Sequence, residues 1–344
     1  MSKGKMFPRL MALLLICLFA AGCQSASTDA ANPPDPGGQV SAADGDDAQD
    51  GPGTSDGKDA AQAGGASNGS RDNTPEVLIP SADGTVTYGN ELATIDASHA
   101  DEGYIMVKYT GTKEKVKLLI TVPGFEKTYQ YTFRSNDFET FPLTGGSGTY
   151  TLEVRENVGG NNYALAYKLE EQFTINSDLT PFLYPNQYVN FTEDTKAVDK
   201  GTELAQGADT DLDVVASVYN YVVDNVTYDT DKAEDSERLK LYLPDPDETL
   251  DTKKGICFDY AALMVTMLRT QRIPTRLEIG YAGTIYHAWI STYVDDIGWV
   301  DGIIQFEKDT WTMMDPTFAS TGKGDKATEE YITDKSNYQT IFIY

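Results

Sequence analysis

The sequence predicts an α+β protein, with an antiparallel β-sandwich-like region followed by a region of helices packed on antiparallel strands. Two patterns carry that prediction. Between residues 76 and 178 apolar and polar side chains alternate with a period of two, and turn clusters interrupt them. From about Pro181 the apolar spacing lengthens to a helical stripe, and it returns to period two only after Pro274.

In the first region Val116, Leu118, Ile120 and Val122 alternate with Lys117, Leu119 and Thr121. Tyr129, Tyr131 and Phe133 alternate with Gln130 and Thr132, and Tyr150, Leu152 and Val154 with Thr151 and Glu153. Gly145-Gly146-Ser147-Gly148 and Gly159-Gly160-Asn161-Asn162 are the turns between them. Short β-branched and aromatic strands of this kind make a sandwich. No catalytic constellation falls within it. His99 lies among Asp96, Ser98 and Asp101 and is expected to be a solvated loop residue. Spacing, glycan binding and protein binding all remain open for this region.

In the second region Leu212, Val215, Val218, Tyr219 and Val222 form a helical stripe over 211–225, with Asp209 or Thr210 available as N-cap. The acidic stretch Asp229 to Glu237 is expected to be a loop, leading into Tyr242-Leu243-Pro244-Asp245-Pro246-Asp247, which its prolines keep extended or turned. A second helix starts near Cys257 and runs to about Gln271, before Pro274. A strand over 285–294 puts His287, Trp289 and Ser291 on one face, and another from Trp311 carries Asp315 at its tip.

The N-terminus indicates export. Lys3, Lys5 and Arg9 precede an apolar run from Leu10 to Phe19, and small residues Ala20-Ala21-Gly22 lead to Cys23. This is a signal-peptide layout, too short for a membrane span. Residues 24–75 are nearly all Ser, Ala, Gly, Asp, Pro, Asn, Gln and Thr, with Val40 the only large apolar residue among 24–74. They form an expected disordered acidic tether whose reach, as a flexible coil, is about 40 Å. The domain plan is therefore 1–23 leader, 24–75 linker, 76–178 β-sandwich-like domain and 179–344 catalytic domain. A net charge of -26 disfavours nucleic acid as a partner and carries no information about substrate.

Three cysteines are present: Cys17 within the leader, Cys23 at its boundary, and Cys257. No internal disulfide is possible in the folded part, and a lone exported thiol is either a reactive group or a small buried apolar residue. Its setting favours reactivity. Cys257 stands at a helix N-terminus with Lys253 and Lys254 just upstream, so the helix dipole and two cations favour thiolate over thiol. His287 and Asp315 follow in the order of a base and its orienter, each with an alternative as a core histidine or a strand-end turn residue. Tyr242, which precedes the nucleophile loop, is a candidate oxyanion donor, or a packing tyrosine among 21. Trp289 and Trp311 are expected in the core and pocket walls. Asp259, in the first helical turn, is expected to be a helix-dipole partner.

These residues carry two resemblances. Ala20-Ala21-Gly22-Cys23 resembles the lipobox of bacterial lipoproteins, with Ala20 where leucine is more usual. That implies lipidation of Cys23 and a place on the extracellular face of a bacterial cell membrane, the alternative being a secreted protein cut near Ala21. Gly255-Ile256-Cys257 with Asp259-Tyr260-Ala261, His287-Ala288-Trp289, and Asp315-Pro316-Thr317 resemble the three signature blocks of the transglutaminase-like superfamily. Arg269 and Ile273-Pro274 fit as well. The resemblance implies a papain-like fold with Cys257 as nucleophile, His287 as base and Asp315 as orienter. Ser291 stands where many relatives have an acid, and no calcium-site pattern is present, so neither metal nor cofactor is implied.

The implied activity is acyl transfer or hydrolysis at amide bonds of protein or wall-peptide substrates through a thioester, by a monomer. The alternatives are a catalytically silent scaffold of the same fold and an adhesin-type binding module.

Overall fold

The computed structural model describes residues 69–344 apart from 125–127, 295–296, 302–303, 308–309, 313–314, 324 and 333, and describes no side chains at 301–314 and 329. The leader, Cys23 and most of the linker lie outside the described residues.

Eight strands build two four-stranded antiparallel sheets. One has the order β1 (Thr87–Gly89), β2 (Ala93–Asp96), β3 (Tyr104–Tyr109), β6 (Glu139–Pro142). The other has the order β5 (Thr128–Thr132), β4 (Val116–Thr121), β7 (Gly148–Gly159), β8 (Asn162–Phe173). The period-two pattern works as expected: Leu118, Ile120, Tyr131, Tyr150, Leu152 and Val154 are buried, against Ile95, Ile105, Val107 and Phe141 of the facing sheet. Gly160, at φ +53°, takes the left-handed conformation that the β7–β8 turn requires.

His99 is more than a solvated loop residue. Its Nδ1 lies 2.9 Å from Glu102, its Nε2 3.0 Å from Asp83, and its ring stacks on Tyr104. The hydrogen bond to Glu102 does most to raise its pKa above 6.5; burial, the next largest effect, opposes it, and the hydrogen bond to Asp83 adds to the rise. A raised folded-state pKa means stability fully present below about pH 6.5 and lost as pH climbs through the folded value. The stability advantage of wild type over His99→Gln is therefore expected to be larger at about pH 5.5 than at about pH 9. Thermal melts at the two pH values check this, and an advantage that grows with pH would refute it.

The second region begins with α1 (Lys196–Leu204) and α2 (Asp211–Asn225). Thr210 is the α2 N-cap, in a reciprocal capping box with Asp213. The predicted loop at 229–237 folds instead into two short helices, α3 (Thr230–Glu234) and α4 (Ser236–Leu239), because Asp229 and Asp235 act as N-caps. Pro246 opens α5 (Pro246–Thr252) at its first turn, with Asp245 as cap, so one of the two prolines starts a helix rather than an extended stretch. The two-stranded pair β9 (Thr227–Tyr228) and β10 (Lys254–Gly255) leads into α6 (Cys257–Arg269), every residue of which is buried.

Helix α6 packs on a four-stranded antiparallel sheet of order β13 (Gly298–Asp301), β12 (Ile285–Val294), β11 (Thr275–Ala282), β16 (Tyr338–Ile343). Residues 304–312 form a separate hairpin, β14 (Ile304–Glu307) with β15 (Thr310–Thr312), followed by α7 (Pro316–Thr321) and α8 (Lys326–Ile332). The architecture is α+β, a β-sandwich followed by a region of helices packed on an antiparallel sheet.

The two regions meet through aromatic rings. Tyr129 packs edge-on against Phe342 and Tyr344, and Tyr131 against Tyr344. The end of the predicted linker is docked from Gly69 on. Arg71 pairs with Asp211 at 2.6 Å and donates to the Gln271 carbonyl, while Arg272 donates to the Thr74 carbonyl at 2.6 Å. Cations at the C-terminal end of α6 outweigh the weak core-forming tendency of this polar stretch.

Candidate active site

Cys257 is the first residue of α6, only 5% exposed and in no disulfide. The glycine two residues before it is sterically required: a Cβ at Gly255 would lie 2.6 Å from Asp259 Cβ. Asp259 Oδ2 accepts from the Ile256 N–H at 2.8 Å, which closes the helix start just ahead of the thiol.

His287 sits on β12, in the sheet that α6 packs against. Its Nε2 is 2.7 Å from Asp315 Oδ2, with both side chains fully buried. Its Nδ1 is buried without a hydrogen-bond partner among the described residues. The ring stacks near-parallel with Phe318 at 4.6 Å and with Trp289 at 6.1 Å. One nitrogen is therefore held by a carboxylate and the other is left for proton exchange.

Asp315 reaches the imidazole by another route than expected. Rather than ending a strand beside β12, it is the N-cap of α7, and its Oδ1 accepts from the Phe318 N–H at 3.0 Å. Pro316 at the first helical position fixes that turn, so helix capping and not strand pairing aims the carboxylate. Its Oδ2 accepts a second hydrogen bond, from the Tyr338 hydroxyl at 2.9 Å. Burial and then the charge of Asp315 push the Tyr338 hydroxyl well above its usual pKa of 10, so it stays a donor throughout the working pH range.

The Tyr242 hydroxyl donates to Asp259 Oδ1 and lies 3.0 Å from the Lys232 ammonium. Trp289 is buried, edge-on to Tyr338 at 5.2 Å. Trp311 belongs to β15, where side chains lie outside the described residues. Ser291, at the position noted as non-acidic, donates to Glu278 on β11, and Thr340 of β16 donates to the other carboxylate oxygen at 2.6 Å. Three partners escaped sequence reasoning. Tyr338 is hidden among 21 tyrosines, Phe318 has no pattern of its own, and Lys232 sits inside an acidic run. Among the described residues no group of His, Cys, Asp and Glu is arranged to hold a metal.

The second region thus has a cysteine at the head of a buried helix packed on a sheet that carries a histidine held by a carboxylate. Residues 199–301, which include Cys257 and His287, match the sequence model of the Transglutaminase-like superfamily, and the chain carries a transglutaminase-like domain there. It is similar to UPF0252 protein MJ1282 of Methanocaldococcus jannaschii, 26% identical over 256 residues, 65% of this chain and 68% of that protein. It is also similar to the kyphoscoliosis peptidase of Mus musculus, 23% identical over 158 residues, 41% of this chain and 23% of that protein. A solved structure described as a candidate cysteine protease from Cytophaga hutchinsonii is 16% identical, covers 61% of this chain and 68% of its own, and has a TM-score of 0.32.

Proposed function

We infer that the protein is a surface-anchored, lipid-modified cysteine enzyme that transfers or hydrolyses acyl groups at amide bonds of protein or wall-peptide substrates. The observation that carries this reading is the buried His287–Asp315 pair at 2.7 Å, with the imidazole Nδ1 unpartnered among the described residues, in the sheet beneath the helix that Cys257 heads. Such a histidine can take the thiol proton while Asp315 holds its tautomer.

In the first step His287 accepts the Cys257 proton and the sulfur attacks the amide carbonyl. The tetrahedral oxyanion is met by the Cys257 backbone N–H at the positive helix end. Collapse expels the amine, which takes the proton from His287, and leaves a thioester. An amine or water then attacks the thioester with His287 again as base, giving cross-linking in the one case and deamidation or proteolysis in the other. The peptidase name borne by the mouse relative supports hydrolysis as one of these outcomes. The leader ending in Cys23 supports anchoring.

The test is the pH dependence of iodoacetamide alkylation in the full chain, read at the Cys257 peptide by mass spectrometry. An ordinary thiol slows about tenfold per pH unit below its pKa of about 8.5. Rapid alkylation persisting to about pH 6 and collapsing in His287→Ala is expected from a thiolate–imidazolium pair. An ordinary thiol profile in wild type would overturn the reading and leave a binding scaffold.

A further inference from the structure

One group of ionisable side chains near the nucleophile is buried and has no part in the steps above. Lys232 is 3% exposed, and its ammonium lies 3.1 Å from Asp259 Oδ2, which is itself 0% exposed. The same ammonium is 3.0 Å from the Tyr242 hydroxyl and 5.0 Å from the centre of its ring. The hydroxyl donates to Asp259 Oδ1, so the two carboxylate oxygens are engaged by Tyr242 on one side and by Lys232 and Ile256 on the other.

The position of Asp259 explains why it needs such partners. As the third residue of α6 it serves the helix, because it takes the Ile256 N–H and faces the positive end of the dipole. It is also two residues from Cys257. A buried carboxylate within the same helical turn opposes a second negative charge even from a side chain it does not face, and the thiolate is one. An ammonium locked onto the carboxylate removes the conflict. Filling the same space with apolar side chains would avoid the desolvation cost of a buried ion pair, but it would leave Asp259 either charged against the thiolate or protonated and weaker as a cap.

We propose that Lys232 and Tyr242 are positioning residues for the nucleophile: they keep Asp259 as the carboxylate that fixes the first turn of its helix, and they cancel the negative charge that would otherwise oppose the Cys257 thiolate. This rests on the reading of Cys257 as the nucleophile. Burial raises the Asp259 carboxyl above its usual range, and the Lys232 charge, then the Tyr242 hydrogen bond, offset part of that rise, the opposition this role requires. Burial and the Asp259 charge hold the Tyr242 hydroxyl protonated, so it donates at every working pH.

The experiment compares pH profiles of Cys257 alkylation in the full chain for wild type, Lys232→Met, Asp259→Asn, the double variant and Tyr242→Phe, with circular dichroism as the folding check. Lys232→Met is expected to move the midpoint up by about one pH unit, and Asp259→Asn to move it down. The double variant is expected to return close to wild type, and Tyr242→Phe to slow alkylation about threefold at about pH 6. A purely structural role would move both single charge variants in the same direction, and that result would overturn the proposal. So would a Tyr242→Phe profile that superimposes on wild type, including the case where turnover falls alone, which would mark Tyr242 as an oxyanion donor. If Lys232→Met does not fold, half-buried Tyr242→Phe decides by itself. A wild-type protein without low-pH reactivity defeats the nucleophile reading as well, whereas a reactive wild type with unshifted variants defeats only this inference.

Discussion

Replacing Asp315 by asparagine is expected to lower turnover about 10³- to 10⁴-fold with little change in KM. The carboxylate has three donors to satisfy: His287 Nε2 and the Tyr338 hydroxyl at Oδ2, and the Phe318 N–H at Oδ1. An asparagine side chain of the same shape has a single acceptor oxygen. If the oxygen faces His287, its NH₂ meets the Phe318 N–H, and the cap of α7 is lost at a cost of about 1 kcal/mol. If the oxygen faces Phe318, the NH₂ donates to His287 Nε2, the ring proton moves to Nδ1, and the base can no longer accept from the thiol. The two cases separate by measurement. The first lowers the melting temperature and spares Cys257 alkylation at about pH 6, and the second does the reverse. Full burial of the His287 and Asp315 side chains makes the second more damaging, since the tautomer is set by the carboxylate partner and not by solvent. Wild-type alkylation and turnover in both Asp315→Asn and Asp315→Ala, the second of which leaves no acceptor for His287, would remove Asp315 from the mechanism.

The largest stability effect is expected at Arg269, where alanine should cost about 3–5 kcal/mol. Its guanidinium is fully buried at the C-terminal end of α6 and donates to three main-chain oxygens: Thr275 at 2.9 Å, Tyr184 at 2.6 Å and Tyr344 at 2.8 Å. These belong to β11, to the stretch that enters the second region, and to the residue after β16, so one side chain joins three separate parts of the chain. The cation also faces the negative end of the helix dipole. Alanine leaves three buried carbonyls short of a donor and a space the size of the side chain. Lysine keeps the charge but cannot serve three oxygens in one plane, so about half the loss should remain. Chemical denaturation with matched slopes measures both, and a loss below about 1 kcal/mol in Arg269→Ala would refute the assignment. A loss near the top of the range is comparable to the whole stability of many domains.

How legible the molecule was in its sequence depended on whether a feature is local. Burial along Val116–Thr121 and Tyr150–Val154 follows directly from alternation, because a strand turns successive side chains to opposite faces. The start of α6 and the placement of Cys257 on its first turn were likewise visible, since a helix start is a local event. The acidic run 229–237 misled for a local reason too: Asp229 and Asp235 signal caps as much as loops, and the helices they cap are too short to show a stripe.

Cys257, His287 and Asp315 were named from residue type and local setting, but how they are held was not a property of any one segment. Asp315 looked like the tip of a strand and is a helix cap, because Trp311 pairs in a separate hairpin and Pro316 opens a helix directly after Asp315. Tyr338 reaches Asp315 across 23 residues of sequence, and Phe318 reaches the His287 ring across the 31 positions from 287 to 318. Lys232 lies 27 residues from the carboxylate it neutralises. The sequence by itself determined the fold class, the main strands and the two long helices, and it named the candidate site residues, since these follow from periodicity and from chemistry that each side chain carries alone. Only the tertiary structure decided which buried charges meet, because a hydrogen bond or an ion pair depends on distance in space, and distance along the chain does not set it.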